Sequence, residues 1–144
     1  MLYARIDLSK TNYQTMSSGW RFIHEPDVPR LDALYHSYCR YKKFPSFMPI
    51  FGSEYTDYKN DVIGYYDRDD ALIAFSLIRR YDRFDAECIQ FAWDYADPKL
   101  RLGIESLKHE CALYKDRGFR YLYLGEADEY KNEIDGFEIM GPIE

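Results

Sequence analysis

The segment from Ala86 to Phe137 constrains this chain most. Cys88 to Tyr95 alternates as a strand does and halts at an Asp97-Pro98 turn. Leu100 to Lys115 carries helical three-and-four spacing, with Ile104, Leu107, Cys111 and Tyr114 on one buried stripe. Phe119 to Leu124 is a dense apolar and aromatic run closed by Gly125. The result is strand, helix, strand, and the two strands must lie parallel because a whole helix crosses between them. A helix reached through such a turn presents free backbone N–H groups and the positive end of its dipole, a natural seat for an anion. On this reading Glu105, Lys108, His109 and Glu110 lie mostly off the buried stripe, and His109 is solvated.

The remaining pattern surrounds that unit. Residues 2 to 8 alternate as a first strand, and Trp20 to His24 makes a second, short one. Pro26 and Pro29 introduce a helix from Arg30 to about Lys43, with Asp27 as its cap and Leu31, Leu34, Tyr35 and Tyr38 on its buried face. Phe44 to Gly52 holds two prolines and four large apolar residues, and reads either as a loop folded onto the core or as the lip of a pocket for small polar ligands. Asp61 to Tyr66, Ala71 to Tyr81 and Ala86 to Tyr95 form an antiparallel meander with turns at Asp67–Asp70 and Asp82–Asp85. The third of these strands is apolar on both sides, with Ile89, Phe91 and Trp93 against Cys88 and Ala92, which places it centrally in the sheet. Glu126 to about Ile134 reads as a short acidic helix, stopped by Gly136, and Phe137 to Met140 as a last strand. The expected fold class is α/β (α+β), a mixed, mostly antiparallel sheet flanked by helices, in one domain over residues 1–144.

Composition narrows the function classes. A net charge of −6 argues against a nucleic-acid surface, although Arg40-Tyr41-Lys42-Lys43 and Arg79-Arg80 are local basic clusters. The 15 tyrosines suit a wet cleft or an interface as well as a core. Cys39, Cys88 and Cys111 are far apart and odd in number, which fits reduced thiols. The sequence shows neither a signal-peptide pattern nor an apolar run near membrane length, so the expectation is a cytoplasmic protein with no membrane partner. His36-x-x-Cys39 lacks a second ligand pair, so no metal is expected. There is no Gly-x-Ser-x-Gly, Walker loop or dinucleotide fingerprint.

The order of elements resembles the GNAT acyltransferase fold, whose fourth strand and following helix hold the pyrophosphate of acyl-CoA, and whose fourth and fifth strands splay into a cleft. Near the end of the chain, Tyr130-Lys131 and Gly136-Phe137 match the place of that family's terminal Tyr and Gly-Phe. A local likeness also runs to the C-terminal half of the arginyl- and leucyl-type tRNA-protein transferases. It rests on the Asp97-Pro98 turn, Leu100-Arg101-Leu102-Gly103, Tyr121-Leu122-Tyr123-Leu124-Gly125 and Tyr130-Lys131. With Gly103 taken as the first glycine of the family's phosphate loop, Leu100 stands where Gln or Arg is usual, and Glu105 where a second small residue is usual. A carboxylate beside a pyrophosphate is unfavourable.

The resemblance implies an N-acyltransferase or aminoacyl transferase, with acyl-CoA or aminoacyl-tRNA as donor. The acceptor would be the amine of a small molecule or of a protein N-terminus. It implies donor binding by Phe91, Trp93, Arg101, Leu102 and Gly103, and a leaving-group acid in Tyr130. Asp94, near the end of the central strand, is the candidate base, and its alternative is to bond local backbone before a turn. Glu126 is the candidate acceptor ligand, and its alternative is a carboxylate in a helix's first turn. The short last strand leaves an edge that a partner chain, a second copy included, can complete. The rival reading is a non-catalytic GNAT-like binding or assembly module.

Overall fold

The computed structural model describes residues 3–43, 50, 52–94, 102–126 and 133–140, with only the backbone of 125 and 126. Seven strands and three helices follow in the order β1 (Tyr3–Asp7), β2 (Trp20–Phe22), α1 (Val28–Lys42), α2 (Gly52–Thr56), β3 (Asn60–Tyr66), β4 (Leu72–Arg80), β5 (Asp85–Trp93), α3 (Leu102–Asp116), β6 (Tyr121–Glu126) and β7 (Phe137–Met140). They form one sheet in the order β2-β3-β4-β5-β6-β1-β7. β5 is therefore the central strand, as its two-sided apolar pattern implied. Every pairing is antiparallel except β5 with β6, which α3 bridges.

Local chemistry explains the elements. Asp27 caps α1, its Oδ1 accepting from the Arg30 N–H at 3.3 Å, with Pro29 in the first turn, where its missing N–H costs nothing. Asp67 and Asp82 build the two hairpin turns. Asp67 Oδ1 accepts from the N–H groups of Asp69 and Ala71, and Asp82 Oδ1 from those of Phe84 and Asp85. Leu31, Leu34, Tyr35 and Cys39 of α1 pack with Phe75, Leu77 and Ala92 on one face of the sheet. Leu102, Leu107, Cys111 and Tyr114 of α3 pack with Ile6, Ile63, Ala74, Ile78, Trp93 and Leu122 on the other.

Three findings refine the expectations. First, β1 lies between β6 and β7, and β7 stays an edge strand, paired on one side only among the described residues. Arg120 clamps Asp7, with Nε on Oδ1 at 2.8 Å and Nη2 on Oδ2 at 3.2 Å, and the Asp7 N–H donates to the Gly136 carbonyl at 2.9 Å. Gly136 has φ +79°, and a Cβ there would lie 2.4 Å from the Asp7 carbonyl oxygen, so this junction admits only glycine. Second, Gly125 and Glu126 continue β6 rather than opening a helix. The rest of the expected acidic helix lies largely outside the described residues, as do 44–49 and 51 of the expected loop or pocket lip.

Third, the two-sided apolar pattern of β5 hides a bulge. Ile78 pairs with Cys88 and Leu77 with Gln90, so Ile89 is an extra residue, and it is exposed. Before the bulge Ala86 and Cys88 face α3. After it Phe91 and Trp93 do, while Ala92 joins the α1 face. An unbroken alternation could not give that arrangement.

Candidate functional site at the seam beside the central strand

β5 and β6 pair only at Asp85–Tyr121, Ala86–Leu122 and Glu87–Tyr123. Beyond Glu87, β5 stays paired with β4 as far as Trp93, and β6 stays paired with β1 as far as Glu126. Each strand keeps its outer neighbour and leaves the inner one. The Ile89 bulge lies two residues past the last pair, and a bulge bends its strand and increases its twist. The consequence is a wedge-shaped seam that widens toward the start of α3.

The backbone lining this seam is polar. The Asp94 N–H donates to the Ile73 carbonyl on β4 at 3.1 Å. N–H directions alternate along a strand, so those of Phe91 and Trp93 turn toward β6. No β5–β6 pair forms past Glu87 among the described residues. Outward N–H groups two residues apart on one strand are parallel and about 7 Å apart, so each addresses a different acceptor of an extended donor, one of them an oxygen that gains negative charge. Their side chains face α3, Trp93 buried and Phe91 half-buried.

Beside the seam, a cavity of about 740 Å³ lies between the first turn of α3, the β3–β4 hairpin and the segment joining β1 to β2. Tyr65, Tyr66 and Trp93 give it aromatic walls, and Asp67, Asp69, Asp94 and Glu105 give it carboxylates. Asp94 is exposed at the end of β5, so it stands on this rim as well as beside the seam. Leu102 is buried against the core, and Gly103 has nothing within 4 Å of where a Cβ would stand. The Glu126 side chain, Arg101 and Tyr130 lie outside what is described.

Behind the cavity wall is a buried polar layer that the sequence reading missed. His109 and Glu110 are each 1% exposed, which corrects the solvated placement of His109. Glu110 Oε2 accepts from the Tyr65 hydroxyl and, at 2.7 Å, from Ser76 Oγ. Burial pushes the Glu110 carboxyl up to about 7, against the pull of those two donors. His109 Nδ1 accepts from the Met16 N–H at 2.9 Å, its Nε2 has no partner, and burial lowers it to about 4, so the ring is neutral. The available signal was in the strands. Tyr65 and Ser76 put hydroxyls at core-facing positions, and buried hydroxyls call for a polar partner.

The described residues suit part of an acyl donor. The open seam suits an acyl chain and its carbonyl, and the space at Gly103 leaves the backbone of the first α3 turn accessible. Of the described residues around the helix start, Asp94 and Glu105 are acidic, and Glu105 has Lys108 Nζ at 3.9 Å; Lys99 and Arg101 lie outside the described residues.

No family model and no curated protein matches this chain. Solved structures do match it. A protein assigned to the GNAT acetyltransferase family from Novosphingobium aromaticivorans superposes with a TM-score of 0.66 at 20% identity, over 96% of this chain and 59% of that one. L-PGS from Bacillus licheniformis gives 0.63 at 16% identity, over 88% and 46%. Saccharomyces cerevisiae N-myristoyltransferase, solved with bound myristoyl-CoA, gives 0.58 at 15% identity, over 88% and 40%. The chain thus spans about half the length of these three structures. The parallel pair with its crossover helix, the antiparallel meander and these likenesses agree, and the chain is built on the GNAT acyltransferase fold.

Proposed function

We propose that this protein transfers an acyl or aminoacyl group from a thioester or ester donor to an amine. One observation carries the reading: the seam past Glu87, into which the N–H groups of Phe91 and Trp93 point. In an acyl transfer the amine attacks the donor's carbonyl carbon, a C–N bond forms, and the C–S or C–O bond to the donor breaks. The charge on the carbonyl oxygen peaks between these events, and the Phe91 N–H is the group that would hold it. Asp94 would take the proton the amine must lose, and Tyr130 would return one to the departing thiol or alcohol, the role the resemblance gives it. The fold neighbours support acyl transfer as the reaction class, and one of them was solved with bound myristoyl-CoA.

The described residues do not select the donor's carrier, so both kinds are tested. The full chain is incubated with a primary amine and either acyl-CoA or aminoacyl-tRNA, and amide product is measured by mass spectrometry. Amide formed from one donor class, and lost in an Asp94→Asn variant, is the expected result. Absence of amide with every donor, together with hydrogen-exchange protection of Phe91 equal to that of paired strand amides, would refute the proposal.

A further inference from the structure

We propose that residues 14–18 are a lid on the cavity beside the seam, and that His109 is the latch that holds it down. The motion of the lid stands on its own hydrogen bonds; a part in admitting substrate rests on the acyl-transfer reading above.

The segment between β1 and β2 is fixed at both ends. Thr11 is buried, and its carbonyl accepts from Lys115 Nζ. The Tyr13 hydroxyl accepts from the Asp135 N–H at 2.9 Å. At the far end the Gly19 carbonyl accepts from the Tyr66 N–H at 2.8 Å, and Gly19 has φ +83°, a conformation that favours glycine. Between these anchors Gln14, Thr15, Ser17 and Ser18 are exposed and hydrogen-bond to no described residue. Met16 alone crosses to the body of the protein. Its N–H donates to His109 Nδ1 at 2.9 Å, and its carbonyl accepts from Trp20 Nε1 at 2.8 Å. Met16 also lines the cavity, together with Tyr65, Trp93 and Leu102. One wall of the cavity therefore hangs on two hydrogen bonds and a half-buried side chain. A segment with few buried contacts and an exposed backbone opens locally, without the rest of the molecule.

The latch carries its own counterweight. With Nδ1 accepting, the ring bears its hydrogen on Nε2, and Nε2 is buried with no acceptor among the described residues. The rings of Trp20 and Tyr65 stand beside it, at centroid distances of 4.4 and 6.1 Å. A buried donor left unpaired costs at least as much as a hydrogen bond contributes. The closed lid makes one bond at His109 and leaves another unmade. Opening wets the ring, and the second is recovered as the first is lost. Closed and open states then lie close in free energy, as a lid requires.

Hydrogen exchange of the full chain, read residue by residue at several urea concentrations below the unfolding transition, tests the lid. The Met16 amide is expected to exchange through an opening that urea does not promote, while the Phe75 and Leu77 amides exchange with global unfolding. Native-state proteolysis tests the latch. His109→Leu should be cut within residues 14–18 roughly tenfold faster than the parent, with Phe75 and Leu77 exchange unchanged. His109→Asn, whose side-chain oxygen can stand near the place of Nδ1, should restore most of the resistance. Acrylamide should quench tryptophan fluorescence more strongly in His109→Leu, because one of the chain's two tryptophans bonds the lid and the other lines the cavity behind it. Met16 exchange in the parent that follows urea as the core amides do overturns the lid, whether or not the variants fold. Cleavage of His109→Leu at the parent rate, or unchanged quenching, overturns the latch. Neither result bears on acyl transfer, and absence of amide from every donor leaves the lid standing.

Discussion

The two edges of β5 are made by the same nine residues and behave differently. Toward β4 the strand pairs from Ala86 to Trp93, accommodating Ile89 as a bulge. Toward β6 it pairs over three residues and then parts. The closed edge is a hairpin joined by a short turn, so its pairing is local and entropically inexpensive. The open edge faces a strand that arrives only after a whole helix. A sheet can leave such an edge open because the outer strands hold the two halves independently. The closed edge builds the fold, and the open one turns strand-edge N–H groups toward the seam.

Removing the bulge is the most direct way to break this contrast. Deletion of Ile89 leaves Ala86, Cys88, Phe91 and Trp93 on the α3 face, because the bulge and the deletion shift the alternation equally. The protein should fold, β5 and β6 should pair further, and the seam should close. The expected cost to acyl transfer is roughly 100- to 1,000-fold, the worth of a lost oxyanion donor. Hydrogen exchange should show the Phe91 amide newly protected. Full transfer activity in the deletion variant would mean that the bulge does not hold the seam open.

The closed side also has the stronger internal conflict, at adjacent residues of α3. Glu110 is held above its ordinary 4.5, at about 7, so its burial favours the folded state below pH 4.5, and this contribution is lost as pH rises through about 7. His109 is held below its ordinary 6.5, at about 4, so its contribution is present above pH 6.5 and is lost as pH falls through about 4. Each shift corresponds to about 3 kcal/mol, with opposite sign, and the two offset each other across roughly pH 4.5 to 6.5. Urea unfolding of the parent should vary little with pH there on their account. Glu110→Gln should unmask a stability that rises with pH, and His109→Gln one that falls. Parallel slopes in the two variants would mean that one of the pair is solvated.

Much of this architecture was legible in the sequence because it is local. The cap at Asp27, the aspartate turns and the meander each follow from a few neighbouring residues, and the parallel pair follows from having a helix between two strands. The place of β1 was not legible, since it depends on contacts between residues more than 110 positions apart, such as Asp7 with Arg120. The bulge at Ile89 was concealed by residues that are apolar on both faces. Helical spacing found four buried positions on α3 and missed His109 and Glu110, because a helix lying over a broad sheet buries more than one stripe. At the site, Phe91 and Trp93 come to the seam through backbone N–H groups, which no side-chain pattern encodes. Asp94 and Glu105 share a cavity only because β5 ends where α3 begins.

The smallest expected effect lies on the far side of the seam, where β6 is held by β1. Arg120 and Ser9 keep the Asp7 carboxyl at about 2, below its ordinary 3.8. A depressed carboxylate contributes stability above its unfolded value, and that contribution is lost as pH falls through about 2. Arg120 is half exposed, so solvent screening reduces the contribution to about 1 kcal/mol. Asp7→Asn should lower the unfolding free energy from urea titration by that amount at neutral pH and flatten the acid limb between about pH 4 and 2. It should leave kcat for acyl transfer unchanged, because the carboxylate lies beyond β6 from the seam. A fall in kcat matching that of the Ile89 deletion would instead mean that the β1–β6 pairing sets the opening of the seam, and the two edges of β5 could no longer be treated as independent.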